Sequence, residues 1–244
     1  MPVSHNIEQD LDRLDRDGYL LIEGALTPEE VERYRAALNE ARAKGWQDGV
    51  NPVGNMKFDS LLEKAPEIFS SLIAHSSVRP YLWALLGPQC QLRRLRAHIN
   101  PGPYHQEWHM DFWEYWEQPS ARYAVKAIGV NTTFYFHDHA PGKAWLKFVH
   151  RGHLLKPEGL VRGFNSMVDN PFARWCEAQK HDILYPKAGD AVLFFSHIPH
   201  KGAKEDAAME RSNVVVHYQC TPMYEGIWHV STPIGYAGTF PFAK

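Results

Sequence analysis

GDAVLFFSHIPHKGAKEDAAMERSNVVVHYQ, residues 189–219, sets two apolar runs on either side of a turn and a polar segment. DAVLFFS (190–196) and NVVVHYQC (213–220) are short, β-branched and aromatic, which is the pattern of buried strands. The turn carries His197 and His200, and Arg211 leads into the second run. Alternate residues of a strand share a face, so Arg211, Asn213, Val215 and His217 point the same way. Three further runs have the same texture: QLRRLRAHIN (91–100), AIGVNTTFYF (127–136) and AWLKFVH (144–150). Strands therefore dominate after residue 90.

Before residue 90 the pattern is helical. NIEQDLDRLDRDG places Ile7, Leu11 and Leu14 at helical spacing and stops at Gly18. After a short strand in YLLIEGAL, Thr27 serves as N-cap with Pro28 behind it and Glu30 three positions on, a capping box. Val31, Tyr34, Ala37 and Leu38 form the apolar face of that helix. A second helical block over about 60–87 is cut by Pro66 and Pro80. Helices first and strands later predict an α+β order, or a β-barrel with a helical jacket, rather than alternating βαβ units. Without a linker-like boundary, residues 1–244 read as one domain, with 1–89 as helical support and 90–244 as β core and lid.

A second stretch carries chemistry. QEWHMDFWEYW (106–116) surrounds His109 and Asp111 with aromatic residues. On a strand, these two present an imidazole and a carboxylate on one face. They are either a hydrogen-bonded core pair or two ligands of a metal. Two histidines and one carboxylate, with the opposite face open, suit non-haem Fe(II) oxygenases. His197 and His200 are the candidates for the missing imidazole, and Arg211 could grip a carboxylate in two-point fashion.

The joint pattern resembles the Fe(II)/2-oxoglutarate dioxygenases of the phytanoyl-CoA dioxygenase family. Eighty-nine positions separate Asp111 from His200 and eleven separate His200 from Arg211, both similar to that family's spacing. DGYLLIEGALTPEEV resembles its N-terminal entry, WHMD its W-H-x-D strand, and HDHAPGKAWLKFVHRGH its acidic turn. Two departures stand out: His150-Arg151-Gly152-His153 replaces a P-G-S-H, and KGA follows the distal histidine where a small polar residue is usual. The resemblance implies a double-stranded β-helix, or jelly-roll, with outer helices. It implies His109, Asp111 and His200 as iron ligands and Arg211 as the anchor of 2-oxoglutarate, with O2 as oxidant and succinate and CO2 as co-products. Halogenating relatives carry a small residue in place of this carboxylate, so Asp111 points to hydroxylation or a related oxidation: desaturation, epoxidation or cyclisation. A jelly-roll that binds ligands without catalysis is the reading from another class.

Further site candidates follow. Asn213 shares the face of Arg211, and Lys57 in GNMKFDSLL resembles a lysine that some relatives place near 2-oxoglutarate; a solvated loop lysine is the alternative. Arg94, Arg96 and His98 alternate onto one face, facing either solvent or an anionic or polar substrate. Trp113 and Trp228 are candidates to cover the site, and His153 either lines it or stabilises a loop. His197 and His217 are candidates to support the site from behind, while His137 and His139 read as a loop, not a ligand pair.

Composition bounds the remainder. The 244 residues are 44% apolar and 22% charged with net charge −2, and no Lys/Arg run suggests a nucleic-acid partner. Three separated cysteines support neither a disulfide framework nor a zinc knuckle. The polar N-terminus lacks an apolar signal core, and no apolar run reaches membrane-spanning length, so a cytoplasmic protein without a membrane partner is expected. The family's substrates include acyl-CoA thioesters, amino-acid-derived solutes and natural-product scaffolds. No basic cluster fits a CoA phosphate tail, so the expected substrate is a smaller metabolite. The closing TPMYEGIWHVSTPIGYAGTFPFAK suits a lid or a dimer contact, leaving monomer and homodimer open.

Overall fold

The computed structural model describes residues 6–87, 90–111, 129–155 and 171–219. Helix α1 (Ile7–Asp17) is capped by the Asn6 side chain and ends at Gly18 in the left-handed region, φ 85°. Strand β1 (Tyr19–Ile22) follows, then α2 (Pro28–Ala43), whose Thr27–Glu30 capping box is formed in both directions. The proline-cut block resolves into α3 (Leu61–Lys64), α4 (Pro66–Ile73) and α5 (Arg79–Leu86), with Pro66 and Pro80 in first turns, where no amide hydrogen is needed. Short strands β2 (Gly49–Val50) and β3 (Met56–Phe58) precede them.

The second half supplies β4 (Gln91–Asn100), β5 (Tyr104–His105), β6 (Gly129–Tyr135) and β7 (Ala144–Val149). Helix α6 (Pro171–Glu177) and strands β8 (His181–Leu184), β9 (Ala191–Phe195), β10 (His200–Lys204) and β11 (Arg211–Gln219) complete the described chain. The strands form two antiparallel sheets, ordered β1-β9-β6-β11-β4-β3-β2 and β5-β10-β7-β8. One cavity is lined from both sheets, so they face each other as in a jelly-roll. Among the described residues, no helix is long and apolar enough to cross a membrane.

The two faces of the larger sheet differ in chemistry. Leu95, Ala97 and Ile99 of β4, Val214 and Val216 of β11, and Val130 and Phe134 of β6 join one buried cluster with Leu14, Tyr34, Leu38 and Phe69 of the helices. Burial of that apolar surface supplies the main driving force for docking the helical jacket. The opposite face is polar, and register sets it in rows: Arg211 beside Asn100; Lys57, His98, Asn213 and Tyr135; Arg96, Val215 and Thr133; Arg94, His217 and Asn131. A register shift between His217 and Tyr218 marks an irregularity at the far end of β11. A strand exposing polar residues inward needs a cavity and hydrogen-bond partners to make that burial tolerable.

Gly18 is needed for two reasons. Its φ is left-handed, and a Cβ there would stand 2.3 Å from His153 Nδ1 and 2.7 Å from Ile198 Cδ1. Gly18→Ala is expected to cost about 2 kcal/mol or more, from the backbone term plus overpacking. Denaturant unfolding of the variant against the parent checks this.

Candidate active site

The H-x-D segment enters beside the smaller sheet. His109 N–H donates to the His200 carbonyl at 3.1 Å and His200 N–H to the His109 carbonyl at 2.9 Å, one antiparallel bridge between distant segments. Asp111 N–H donates to the Ser196 carbonyl at 2.8 Å. Alternation does the sorting here. Trp108 and Met110 pack outward against Val149, Phe172 and Cys176, while His109 and Asp111 turn into the cavity.

Three donors converge. His200 Nε2 lies 3.5 Å from Asp111 Oδ2, His109 Nε2 lies 3.9 Å from Asp111 Oδ1, and the two imidazole centroids are 4.2 Å apart. All three ligand atoms lie within 4.8 Å of one another. Ligands about 2.0–2.2 Å from a shared ion stand roughly 3–4 Å apart, so this spacing fits a metal. The tautomers fit as well. His109 Nδ1–H donates to the Glu107 carbonyl at 3.0 Å and His200 Nδ1–H to the Ile198 carbonyl at 2.9 Å, which aims each Nε2 lone pair at the shared space. Burial, then His109, pushes the His200 pKa down to about 3, so it stays in the neutral, ligating form. Burial raises the Asp111 pKa, but the opposing influence of His217, His200 and His109 wins and holds it at about 2, ionised. Phe194 meets the His200 ring edge-on at 4.8 Å and Phe148 lies 5.9 Å from it, walling it in.

The cavity of about 120 Å³ runs from these donors to Arg211. Arg211 is 4% exposed; its Nη1 donates to Asn100 Oδ1 at 2.7 Å and its guanidinium lies over the Tyr104 ring at 5.2 Å. Among the described residues, no carboxylate pairs with it, and its buried Nε–H has no acceptor. A buried, uncompensated guanidinium with a spare donor is a site for an anion. Asn213, in the adjacent row, accepts from His98 Nδ1–H at 3.2 Å. Burial, followed by Arg96 and Arg211, pushes the His98 pKa down to about 3.

The predicted residues therefore divide. His109, Asp111, His200, Arg211, Asn213, Arg94 and Arg96 all line the one cavity. Lys57 shares the inward face but stands one strand beyond His98, in an adjoining, more open cavity of about 480 Å³ that shares His98 and Tyr104 as a wall. His153 lies outside this cavity. Its Nε2 is 2.9 Å from the Asp15 carbonyl, because the short turn Gly152–Leu154 folds back towards α1. His197 also turns away from the three donors and stacks on Phe195 at 5.6 Å, whereas His217 lines the cavity. His137 Nδ1 accepts from Ser212 N–H, and His139 packs edge-on against Tyr135 at 4.8 Å, so neither joins the donors. Trp113 and Trp228 lie outside the described residues.

Arg94 and Arg96 do not face the cavity as bare charges. Arg96 grips Asp59 at 2.7 and 2.8 Å, and Arg94 Nε donates to the same carboxylate at 2.9 Å. Burial works to raise the Asp59 pKa, but the bonds and charges of the two arginines hold it below the usual carboxylate range. A depressed folded pKa gives stability that is present above the unfolded value of about 3.9 and lost as pH falls through the folded one. Asp59→Asn is expected to cost roughly 2 kcal/mol at pH 7 and to remove part of the fall in stability below about pH 4. Thermal unfolding across that pH range measures both effects.

Sequence reasoning missed Gln106, Asn131 and Ser196. The Gln106 amide donates to His109 Nε2 at 2.9 Å, and Asn131 donates to Asp111 Oδ2 at 2.5 Å. Their only sequence signal was polarity inside apolar or aromatic runs.

Residues 14–211 match the protein family described as phytanoyl-CoA dioxygenase (PhyH). The chain belongs to that family. An ectoine dioxygenase of Streptomyces coelicolor is 27% identical over 130 residues, 50% of this chain and 43% of that protein, so the match spans less than half of the relative's length. The family fold recurs in solved structures. The epimerase SnoN, in complex with Fe3+, alpha ketoglutarate and nogalamycin RO, superposes with a TM-score of 0.74 at 16% identity, covering 96% of this chain and 92% of that one. The carbocyclase SnoK from nogalamycin biosynthesis gives 0.70 at 18% identity, covering 87% and 84%. At these identities the likeness extends to the jelly-roll fold that this family member shares with both.

Proposed function

We propose that the protein is a non-haem Fe(II)- and 2-oxoglutarate-dependent dioxygenase that hydroxylates a small organic metabolite. The observation that carries this reading is one cavity with His109, Asp111 and His200 at one end and, at the other, the buried Arg211 guanidinium, which has no carboxylate partner among the described residues. His109, Asp111 and His200 hold the iron; Arg211, with Asn213 in the next row, receives the far carboxylate of 2-oxoglutarate. When bound, iron and 2-oxoglutarate supply the oxidising power: the 2-oxo acid and O2 yield succinate and CO2, and a substrate C–H becomes C–OH. The protein's own contribution is to orient and to exclude water. Phe148 and Phe194 keep the His200 ring in place, and the polar inward rows bind oxygen-rich or charged ligand groups.

The adjoining cavity lined by Asn51, Asn55, Lys57 and Tyr104 provides room for the bulk of a polar substrate, which the inner cavity alone is too small to hold. The Arg94–Asp59–Arg96 cluster and Lys57 favour a substrate with an anionic or strongly polar group. The test is succinate release that requires Fe(II), O2 and 2-oxoglutarate together, followed by a metabolite screen for a gain of one oxygen. Absence of succinate under those conditions would remove the reading. The likeness to an epimerase and a carbocyclase supports a second outcome for the same iron site, a hydrogen-abstraction product without added oxygen, and product mass separates the two.

A further inference from the structure

Asp111 is the one candidate ligand with two oxygens to offer, and its rotation decides how many positions around a metal it fills. A closed ring of hydrogen bonds sets that rotation. Asn131, on β6, donates its side-chain N–H to Asp111 Oδ2 at 2.5 Å. The Asn131 Oδ1 accepts the Ser196 hydroxyl at 2.7 Å, and the Ser196 carbonyl accepts the Asp111 backbone N–H at 2.8 Å. Ser196 thus holds Asp111 twice, through the main chain directly and through the side chain by way of Asn131.

The ring leaves little freedom. Asn131 and Ser196 are both completely buried, so water does not compete for these bonds. The serine hydroxyl orients the amide, since it donates to the oxygen and leaves the nitrogen facing the carboxylate. Phe194, in register with Asn131, closes the side of the ring towards β9.

We infer that Asn131 and Ser196 are positioning residues that hold Asp111 through Oδ2 and so fix the rotation of its carboxylate towards the two imidazoles for one-point ligation. The inference rests on the metal site proposed above. One-point ligation by the carboxylate keeps coordination positions free for a chelating co-substrate and O2. Groups that orient metal ligands in this way typically contribute 10- to 100-fold to metal affinity.

The experiment titrates Co2+ alone into the full-length parent, Asn131→Leu and Ser196→Ala, following the visible d–d band, with thermal unfolding alongside. Affinity is expected to fall roughly 10-fold in Ser196→Ala and about 100-fold in Asn131→Leu, with a shift of the band as the carboxylate changes its mode of binding. A purely structural role would lower the melting temperature and leave both affinity and band unchanged, which overturns the inference. If Asn131→Leu does not fold, Ser196→Ala decides by the same criteria. Failure of the parent to bind Co2+ would instead sink the metal site, and the inference with it.

Discussion

Asp111→Ala is expected to reduce Fe(II)-dependent succinate formation by about a thousandfold or more. The loss follows from the site's charge. His109 and His200 are neutral ligands when they bind a metal, so Asp111 supplies the only negative charge in the candidate set. Its removal leaves two imidazoles, and a two-ligand site holds a divalent ion weakly. The fold should survive, because Asp111 contributes no apolar packing and its backbone bond to Ser196 remains. Circular dichroism and thermal unfolding should therefore match the parent within a few degrees while Co2+ or Fe(II) binding disappears. Retained metal-dependent turnover in Asp111→Ala would take Asp111 out of the site.

Arg211→Leu is expected to raise the KM for 2-oxoglutarate by roughly 10²- to 10³-fold and to leave metal affinity unchanged. Truncating one partner of a buried charge pair costs about 2–5 kcal/mol, and each 1.4 kcal/mol is tenfold in binding. Leucine approximates the volume of the arginine stem, so packing over Tyr104 is largely retained. Lysine should restore little, since it lacks the planar fork that meets a carboxylate at two points. Steady-state kinetics with varied 2-oxoglutarate, with Co2+ titration as control, measure the effect. An unchanged KM for 2-oxoglutarate would move the anchor elsewhere, with Lys57 in the adjoining cavity as the next candidate to test.

Strand positions were legible because the second half of the chain alternates so plainly. QLRRLRAHIN carries Arg94, Arg96 and His98 on one face and Leu95, Ala97 and Ile99 on the other, and β4 spans the same ten residues. The capping box of α2 and the proline breaks were legible for local reasons, since caps and prolines act within a turn. Strands β2 and β3 were not legible: two and three residues long, they owe their structure to pairing with each other and with β4. His153 shows where local pattern stops deciding. The sequence left it either lining the site or stabilising a loop, and the Gly152–Leu154 turn directs it to the carbonyl of Asp15.

The amino-acid sequence by itself determined which chemical groups are available, in what order, and on which face of each strand they lie, because alternation and capping are local rules. Only the tertiary structure decided that His200, which its spacing to Arg211 already favoured over His197, meets His109, since that meeting depends on an antiparallel bridge between segments some ninety residues apart. It likewise decided that Arg211 is buried without a carboxylate partner among the described residues, and that Asn131 and Ser196 close around Asp111. Burial and hydrogen-bond pairing are properties of the packed sheets, and no local pattern of residues encodes them.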